Sequence, residues 1–269
     1  MTADDWVRQA ASMLEAAGFD SSRIEAQLLA AHTLGVERTW LLVHGGESFP
    51  ELAGEALLAR RLGHEPLAYI LGWREFYGRR FAVRKGVLVP RQETETVVEL
   101  ALRLARPGAK VLDLGTGSGC IAVTLKLERP DLRVVALDKE ESALEIAREN
   151  AEVLGAEVDF QRGDFLTMEP EERFDLVVSN PPYIGIHERL PRDVADFEPA
   201  AALYSGETGM EFYEAIARSG RSWLTPRGTV VLEAGDRQAS SIRDMFADWE
   251  FLEASPDLMG IERALAFRA

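Results

Sequence analysis

The sequence holds a single cysteine, Cys120, among 269 residues. That excludes an intrachain disulfide and any cage of cysteine ligands, and no metal site is expected. Apolar runs are short, and none reaches the roughly 18 residues that a membrane-crossing helix needs. The opening residues, Met1-Thr2-Ala3-Asp4-Asp5, are acidic and lack the basic-then-apolar layout of a secretory leader. These absences lead to the expectation of a cytoplasmic chain with no membrane partner. Basic charge is scarce as well: 30 Lys and Arg stand against 45 Asp and Glu, a net charge of −15. Affinity for nucleic acid comes from Lys and Arg set against phosphates. The overall field opposes such a partner, and no direct nucleic-acid substrate is expected. What is present is ordinary for a globular protein, 46% hydrophobic and 28% charged, with apolar material for a sizeable core.

Residues 1–68 read as a small helical domain. Trp6, Ala10, Met13, Leu14 and Ala17 recur at helical spacing, and Gly18 follows as a stop. Ser22-Arg23-Ile24-Glu25 has the pattern of a capping box and predicts a second helix ending near Gly35. A short third turn spans 39–43, and a fourth helix starts after Pro50 with Leu57, Leu58 and Leu62. His32, His44 and His64 are scattered and read as structural. Over residues 69–89 the period changes, and Phe76-Tyr77-Gly78-Arg79 followed by Phe81-Ala82-Val83 predicts a β-hairpin linker turning at Gly78. Arg74, Arg79, Arg80, Arg84, Lys85 and Arg91 make this the most basic stretch, either a solvated face or a partner surface.

Residues 90–269 alternate between strand and helix patterns. Strands are predicted at 110–114, 133–137, 158–160, 174–179, 229–233 and 263–267. Helices are predicted at 120–129, 142–154, near 165–172 and near 209–222. The alternation implies an α/β domain with a mostly parallel sheet covered on both faces.

The sharpest local signal is Val111-Leu112-Asp113-Leu114-Gly115-Thr116-Gly117-Ser118-Gly119, an apolar strand running into a glycine-rich turn that opens a helix. Glycines let the backbone approach a ligand, and the helix start offers free N–H groups. The spacing is Gly-x-Gly-x-Gly, with Cys120 where nicotinamide enzymes keep Gly or Ala. It resembles the first motif of S-adenosylmethionine methyltransferases, which implies S-adenosyl-L-methionine as cofactor, held along Gly115, Thr116, Gly117, Ser118 and Gly119. Asp113 is expected to orient the turn or to reach the cofactor's amino group through water. Asp138 ends the next strand, about 20 residues past the glycines, where a carboxylate binds a ribose diol. Asp164 and Phe165 follow the third strand, the first placed to accept from an adenine amino group and the second to stack on the ring. Cys120 reads as a small core residue.

Asn180-Pro181-Pro182-Tyr183 follows the strand at 174–179 and so sits at the carboxyl edge of the sheet, where open α/β folds bind ligands. Two consecutive prolines remove two donors and stiffen the loop. The Asn180 side-chain oxygen and the Pro181 carbonyl are two acceptors for the N–H bonds of a planar NH2 group, and Tyr183 is expected to stack on it. Asn180, Pro181 and Tyr183 are therefore the candidate catalytic residues, and Asn180 to Tyr183 the candidate acceptor site. Catalysis would come from positioning and preorganised dipoles. His187 is read as an ordinary loop histidine. Glutamine amides and adenine both carry such an NH2 group, so the tetrapeptide alone leaves both open.

Further residues carry a resemblance over nearly the whole chain: Arg61, Glu65-Pro66, Tyr69-Ile70, Gly72, Phe76, Phe81, the run Val87-Leu88-Val89-Pro90-Arg91-Gln92-Glu93-Thr94-Glu95, Glu198-Pro199, Ala202-Leu203, Glu233, Gln238, Asp257, Gly260 and Arg263. On these the chain resembles the release-factor glutamine N5-methyltransferases (the HemK/PrmC family). The resemblance implies a Rossmann-like seven-stranded class I methyltransferase domain at 90–269, preceded by the helical domain and hairpin linker. It implies that Gly115 to Gly119, Asp138, Phe165 and Asn180 touch the cofactor and that Asn180 to Tyr183 hold the glutamine of a Gly-Gly-Gln loop in bacterial-type peptide chain release factors. It also implies that the helical domain and linker grip that partner. Gln92 stands where the family usually has proline, and Phe165 where tryptophan is frequent. Alternatives are methylation of a ribosomal-protein glutamine, N6-methylation of adenine in nucleic acid, and a non-catalytic module that keeps the cofactor fold.

Overall fold

Apolar residues spaced three and four apart over the first part of the chain wind into α1 (Ala3–Ala16), α2 (Ser22–Leu34), α3 (Arg38–His44), α4 (Glu51–Leu62) and the short α5 (Leu67–Leu71). Trp6, Leu14, Leu29, Leu41, Phe49 and Leu58 meet in one buried core, with the Trp6 and Phe49 rings 4.6 Å apart. The capping box at Ser22 does not form. Ser22 is already the first helical residue and no side chain caps the helix, because Glu25 is drawn across to Arg61, whose Nε donates to it at 2.6 Å. Arg61 is almost fully buried. Its Nη1 also donates to the Glu65 carbonyl, and its guanidinium lies over the Phe19 ring. A buried guanidinium persists only when its donors are met this way.

The computed structural model describes residues 1–167 and 170–269. The chain divides into two units, Met1–Gly72 with Pro191–Phe197, and Trp73–Leu190 with Glu198–Ala269. Residues 67–71 are helical rather than extended, since Ile70 joins the helical core and Gly72, at φ 80°, ends α5 in the left-handed conformation. The hairpin is narrower than its sequence signal: β1 (Trp73–Phe76) pairs antiparallel with β2 (Arg79–Ala82). Its two turn residues, Tyr77 and Gly78, both have positive φ, the geometry that matches the twist of a two-residue hairpin.

The larger unit continues with α6 (Glu95–Leu104), β3 (Lys110–Leu114), α7 (Cys120–Glu128), β4 (Arg133–Asp138), α8 (Glu141–Leu154), β5 (Asp159–Arg162) and β6 (Phe174–Ser179). The short α9 (Arg192–Ala195) lies in the segment grouped with the helical unit. The chain then forms α10 (Ala200–Leu203), α11 (Glu211–Ser219), β7 (Leu224–Glu233), α12 (Ala239–Met245), β8 (Glu250–Pro256) and β9 (Glu262–Arg268). Seven strands form one sheet in the order β5-β4-β3-β6-β7-β9-β8. The first five are mutually parallel, and β9 and β8 add antiparallel. One buried cluster, including Val97, Ile121, Leu125, Val134 and Val178, covers one set of strand side chains, and another, including Leu112, Leu137, Val177, Tyr213, Leu232 and Phe246, covers the other. Central strands buried on both faces read as near-continuous apolar runs.

Three elements differ from the sequence expectation. The strand predicted at 229–233 begins at Leu224, with a register shift opposite Phe174 and Leu176 that hides its first half. The helix predicted near 209–222 is α11 followed by a tighter turn at Gly220–Trp223. The weak helix near 165–172 is a turn at 165–167, and part of the prediction lies outside the described residues. Helices α6, α9, α10 and α12 and strand β8 had no assignment from sequence. Among the described residues no helix is long and apolar enough to cross a membrane.

Candidate active site

The carboxyl ends of β3, β4 and β6 open onto one cavity. Its lining includes Gly115 and Gly117 from the glycine turn, Leu137 and Asp138 from β4, Asp164 and Phe165 beyond β5, and Asn180, Pro181 and Pro182 beyond β6. Two strips of chain complete the wall, Gly86 to Leu88 and Pro199, Ala201 and Ala202.

Backbone bonds pin the glycine turn. Gly115 and Thr116 N–H both donate to the Leu137 carbonyl, at 2.8 and 3.0 Å. Gly115 and Gly117 have φ of 72° and 55°, and a Cβ on either would meet nothing within 4 Å. That open side is the space a ligand needs for close backbone approach. Gly119 has a different role: a Cβ there would come within 3.0 Å of the Ala147 Cβ, so it lets α8 pack against the turn and does not line the cavity. Thr116 and Ser118 are buried. The Thr116 hydroxyl donates to Asp113 Oδ2 at 2.6 Å, and the Ser118 carbonyl accepts from Asn150 Nδ2 at 2.9 Å. Asp113 is fully buried, and burial pushes its carboxyl up to about 7. Its Oδ2 holds the Thr116 side chain of the turn, and its Oδ1 has no hydrogen-bond partner among the described residues. Cys120 is a core residue whose thiol is pushed up to about 12 by burial, so it is inert at neutral pH.

Asp138 is half-buried at the cavity edge. Its Oδ2 accepts from Gly117 N–H at 2.9 Å and its Oδ1 from Glu140 N–H at 3.0 Å. Each oxygen keeps a lone pair, and burial raises the carboxyl above its ordinary value despite these donors. Asp164 Oδ1 accepts from Leu166 N–H at 2.9 Å. Phe165 presents an apolar wall and packs against Phe212 with ring centroids 5.4 Å apart.

Asn180 is partly exposed to the cavity, and its Nδ2 donates to Thr94 Oγ1 at 3.1 Å. Tyr183 departs from expectation. It does not line the cavity; its ring packs against the second core cluster, and its hydroxyl donates to Glu233 Oε1 at 3.4 Å. Its carbonyl accepts from Gln238 Nε2 at 2.9 Å. A Cβ on Gly209 would lie 2.5 Å from that same carbonyl, so only glycine permits this approach. Tyr183 thus braces the loop from its far end.

Sequence reasoning gave no role to several residues that build the site. Glu198 is buried, accepts from Val89 N–H at 2.9 Å and pairs with Arg91 at 2.5 Å. Asn150 bonds the Ala82 backbone and the Ser118 carbonyl, linking the hairpin to the glycine turn. Thr94, Glu198, Glu233 and Gln238 all lie in the segments that carried the family resemblance, which was the only available signal.

A mostly parallel sheet with a glycine turn, a strand-end carboxylate and a rigid Asn-Pro-Pro loop around one cavity defines a methyltransferase domain. Residues 95–196 match the methyltransferase small domain family, and residues 5–72 match the PrmC N-terminal domain family. The chain belongs to the release factor glutamine methyltransferase family. It is 41% identical over 263 residues to the release factor glutamine methyltransferase of Koribacter versatilis, covering 95% of this chain and 94% of that protein. It is 40% identical to that of Cereibacter sphaeroides, covering 100% and 99%. Among solved structures, a methyltransferase from Pyrococcus furiosus superposes with a TM-score of 0.55 at 20% identity, covering 78% of this chain and 96% of that one, a likeness of fold.

Proposed function

We propose that this enzyme methylates the side-chain amide nitrogen (N5) of the glutamine in the Gly-Gly-Gln loop of a peptide chain release factor, with S-adenosyl-L-methionine as donor, in the cytoplasm. The observation that carries the reading is that Asn180, Pro181 and Pro182 line the same cavity as Gly115, Gly117 and Asp138. The cavity fits the donor: bare glycine backbone on one wall, a carboxylate with free lone pairs at the edge, and the apolar face of Phe165. Gly115, Gly117, Asp138, Asp164, Phe165 and Asn180 are the residues that would hold it, and when bound it supplies an activated methyl group.

The chain's own part is positioning. The Asn180 side-chain oxygen and the Pro181 carbonyl take the two N–H bonds of the glutamine amide and fix its plane. Because the loop is stiffened by two prolines and braced at Tyr183, these dipoles need no reorganisation during reaction. Neutral acceptors hold both protons, so no side chain has to remove one beforehand.

A protein substrate is favoured over nucleic acid by the pairing of the basic stretch. Arg79, Arg84 and Arg91 are bound to Glu128, Glu149 and Glu198 of the same unit, which neutralises charge that phosphates would need. The same pairing removes much of that stretch as a cationic partner surface. We assign recognition of the release factor to the helical domain (residues 1–68), with the hairpin linker (69–89) joining it to the catalytic domain (90–269).

Incubation with labelled donor, purified release factor, ribosomal proteins and undermethylated DNA should label the release factor, and a glutamine-to-alanine change in its Gly-Gly-Gln loop should abolish that label. Label on DNA or on a ribosomal protein instead would replace this substrate. Replacing Asp138 by alanine should weaken donor affinity by roughly 1.5–3 kcal/mol, the usual loss for hydrogen bonds to a charged group. Calorimetry showing unchanged affinity would remove Asp138 from the donor site.

A further inference from the structure

Gln238, the residue before α12, lies outside the cavity lining, yet its side chain reaches the loop that forms part of that lining. Its Nε2 donates to the Tyr183 carbonyl at 2.9 Å, and its Oε1 accepts from Gly235 N–H at 3.0 Å. A backbone carbonyl only accepts and a backbone N–H only donates, so a single orientation of the amide satisfies both partners. The surrounding chain is shaped to admit it. A Cβ on Gly235 would lie 2.5 Å from Gln238 Oε1 and 3.0 Å from Tyr183 Cδ2, and one on Gly209 would lie 2.5 Å from the Tyr183 carbonyl oxygen. Arg237, directly before Gln238, holds φ at 62° with its side chain exposed, a left-handed conformation that persists only where the surroundings impose it.

Three residues separate the fixed ends of the loop. Ser179 pairs within the sheet, and its hydroxyl donates to the Leu114 carbonyl at 2.8 Å. Beyond the loop, Gln238 holds the Tyr183 carbonyl, and the Ile184 N–H of the same peptide unit donates to the Leu203 carbonyl at 3.1 Å. Between these ends Pro181 and Pro182 have φ locked by their rings, which leaves the Pro181 carbonyl little freedom. We propose that Gln238 is a positioning residue for methyl transfer: by holding the Tyr183 carbonyl it sets the direction of the Pro181 carbonyl, the backbone acceptor for the glutamine amide. This deepens the proposed function and rests on its assignment of Asn180 and Pro181 as acceptors of the two N–H bonds. Gln238 touches neither reactant. Without it the Tyr183 peptide can turn, and the Pro181 carbonyl no longer presents the nitrogen in line with the methyl group. The acceptor still binds, because the surface that recognises it is unchanged.

The test measures turnover of the full-length protein on a release factor, with donor affinity by calorimetry and Tm alongside. Gln238→Glu keeps the side-chain length and the acceptor for Gly235 N–H but, once ionised, loses the donor to Tyr183. It should lower kcat on the order of 100-fold, as misplacement of a reacting group does, with little change in KM or donor affinity. Gln238→Met removes both bonds without adding charge; it should lower kcat as far, and it decides the matter where Gln238→Glu does not fold. Wild-type kcat in either folded variant overturns the proposal. So does a loss that falls on KM or donor affinity in place of kcat, which is the mark of general loosening. Asn180→Ala separates this proposal from the reading beneath it. If that variant loses turnover while the Gln238 variants keep theirs, the positioning role alone is lost; wild-type turnover in all of them sinks the acceptor loop as well.

Discussion

Replacing Asn180 by alanine should lower kcat by roughly 10²–10³, by analogy with the loss of one preorganised dipole at a reacting centre. The change deletes the one side-chain acceptor that the Asn-Pro-Pro-Tyr loop presents to the cavity. It leaves the two prolines, the Tyr183 brace and the Gln238 bond to the Tyr183 carbonyl in place. Because Asn180 is partly exposed and its side chain bonds only Thr94 among the described residues, the cost in stability should be about 1 kcal/mol. A large fall in kcat with a nearly unchanged Tm therefore separates chemistry from folding. Turnover within a few-fold of wild type would refute the claim that this loop holds the acceptor nitrogen.

Replacing Glu198 by alanine should have the largest effect on stability. The carboxylate is 6% exposed and satisfies two groups far from it in sequence, the Val89 N–H and the Arg91 guanidinium. Removing it strands a backbone donor and leaves a cation without its partner. Unsatisfied buried groups of this kind cost about 1–3 kcal/mol each, and one-sided removal of a buried pair costs about 3–5 kcal/mol. Arg91 remains a third exposed to water, so the lower figure, about 3 kcal/mol, is expected from urea unfolding. A second consequence is functional. Glu198 joins Val89 and so ties together the ends of the two strips that wall the cavity, Gly86 to Leu88 and Pro199 to Ala202, so donor affinity should fall about tenfold, a loss of about 1.4 kcal/mol. Glu198→Gln keeps one acceptor for Val89 and should fall between wild type and alanine. Wild-type unfolding and affinity in Glu198→Ala would show that the strips hold their places without this clamp.

The legible parts of the fold were those written in short stretches of chain. Strands at 110–114 and 174–179 were read to the residue because both are buried on both faces and bounded by breakers. Edge elements were harder. β8, Glu250–Pro256, is half-exposed, acidic at both its first and fourth residues, and shifts register twice against β9, so no alternation marks it. Helix α6 begins at the last residue of the Pro-Arg-Gln-Glu-Thr-Glu run, whose polar residues hide the helical spacing of Val97, Leu100 and Ala101. The capping box at Ser22 failed because a local pattern lost its glutamate to an arginine 36 residues away.

Sequence by itself determined the strand, turn and helix around Gly115, the carboxylate at the end of β4, and the stiff loop after β6. Covalent neighbours and side-chain period specify these, and the parallel sheet then brings the three strand ends to one edge. Tertiary structure alone decided which groups hold them there. Asn180 meets Thr94 across 86 residues and Glu198 meets Val89 across 109, while Tyr183, partly buried, packs against the second core cluster. Hydrogen-bond partners at such separations leave no trace in periodicity, because their geometry exists only once the chain has packed and water has been excluded from between them.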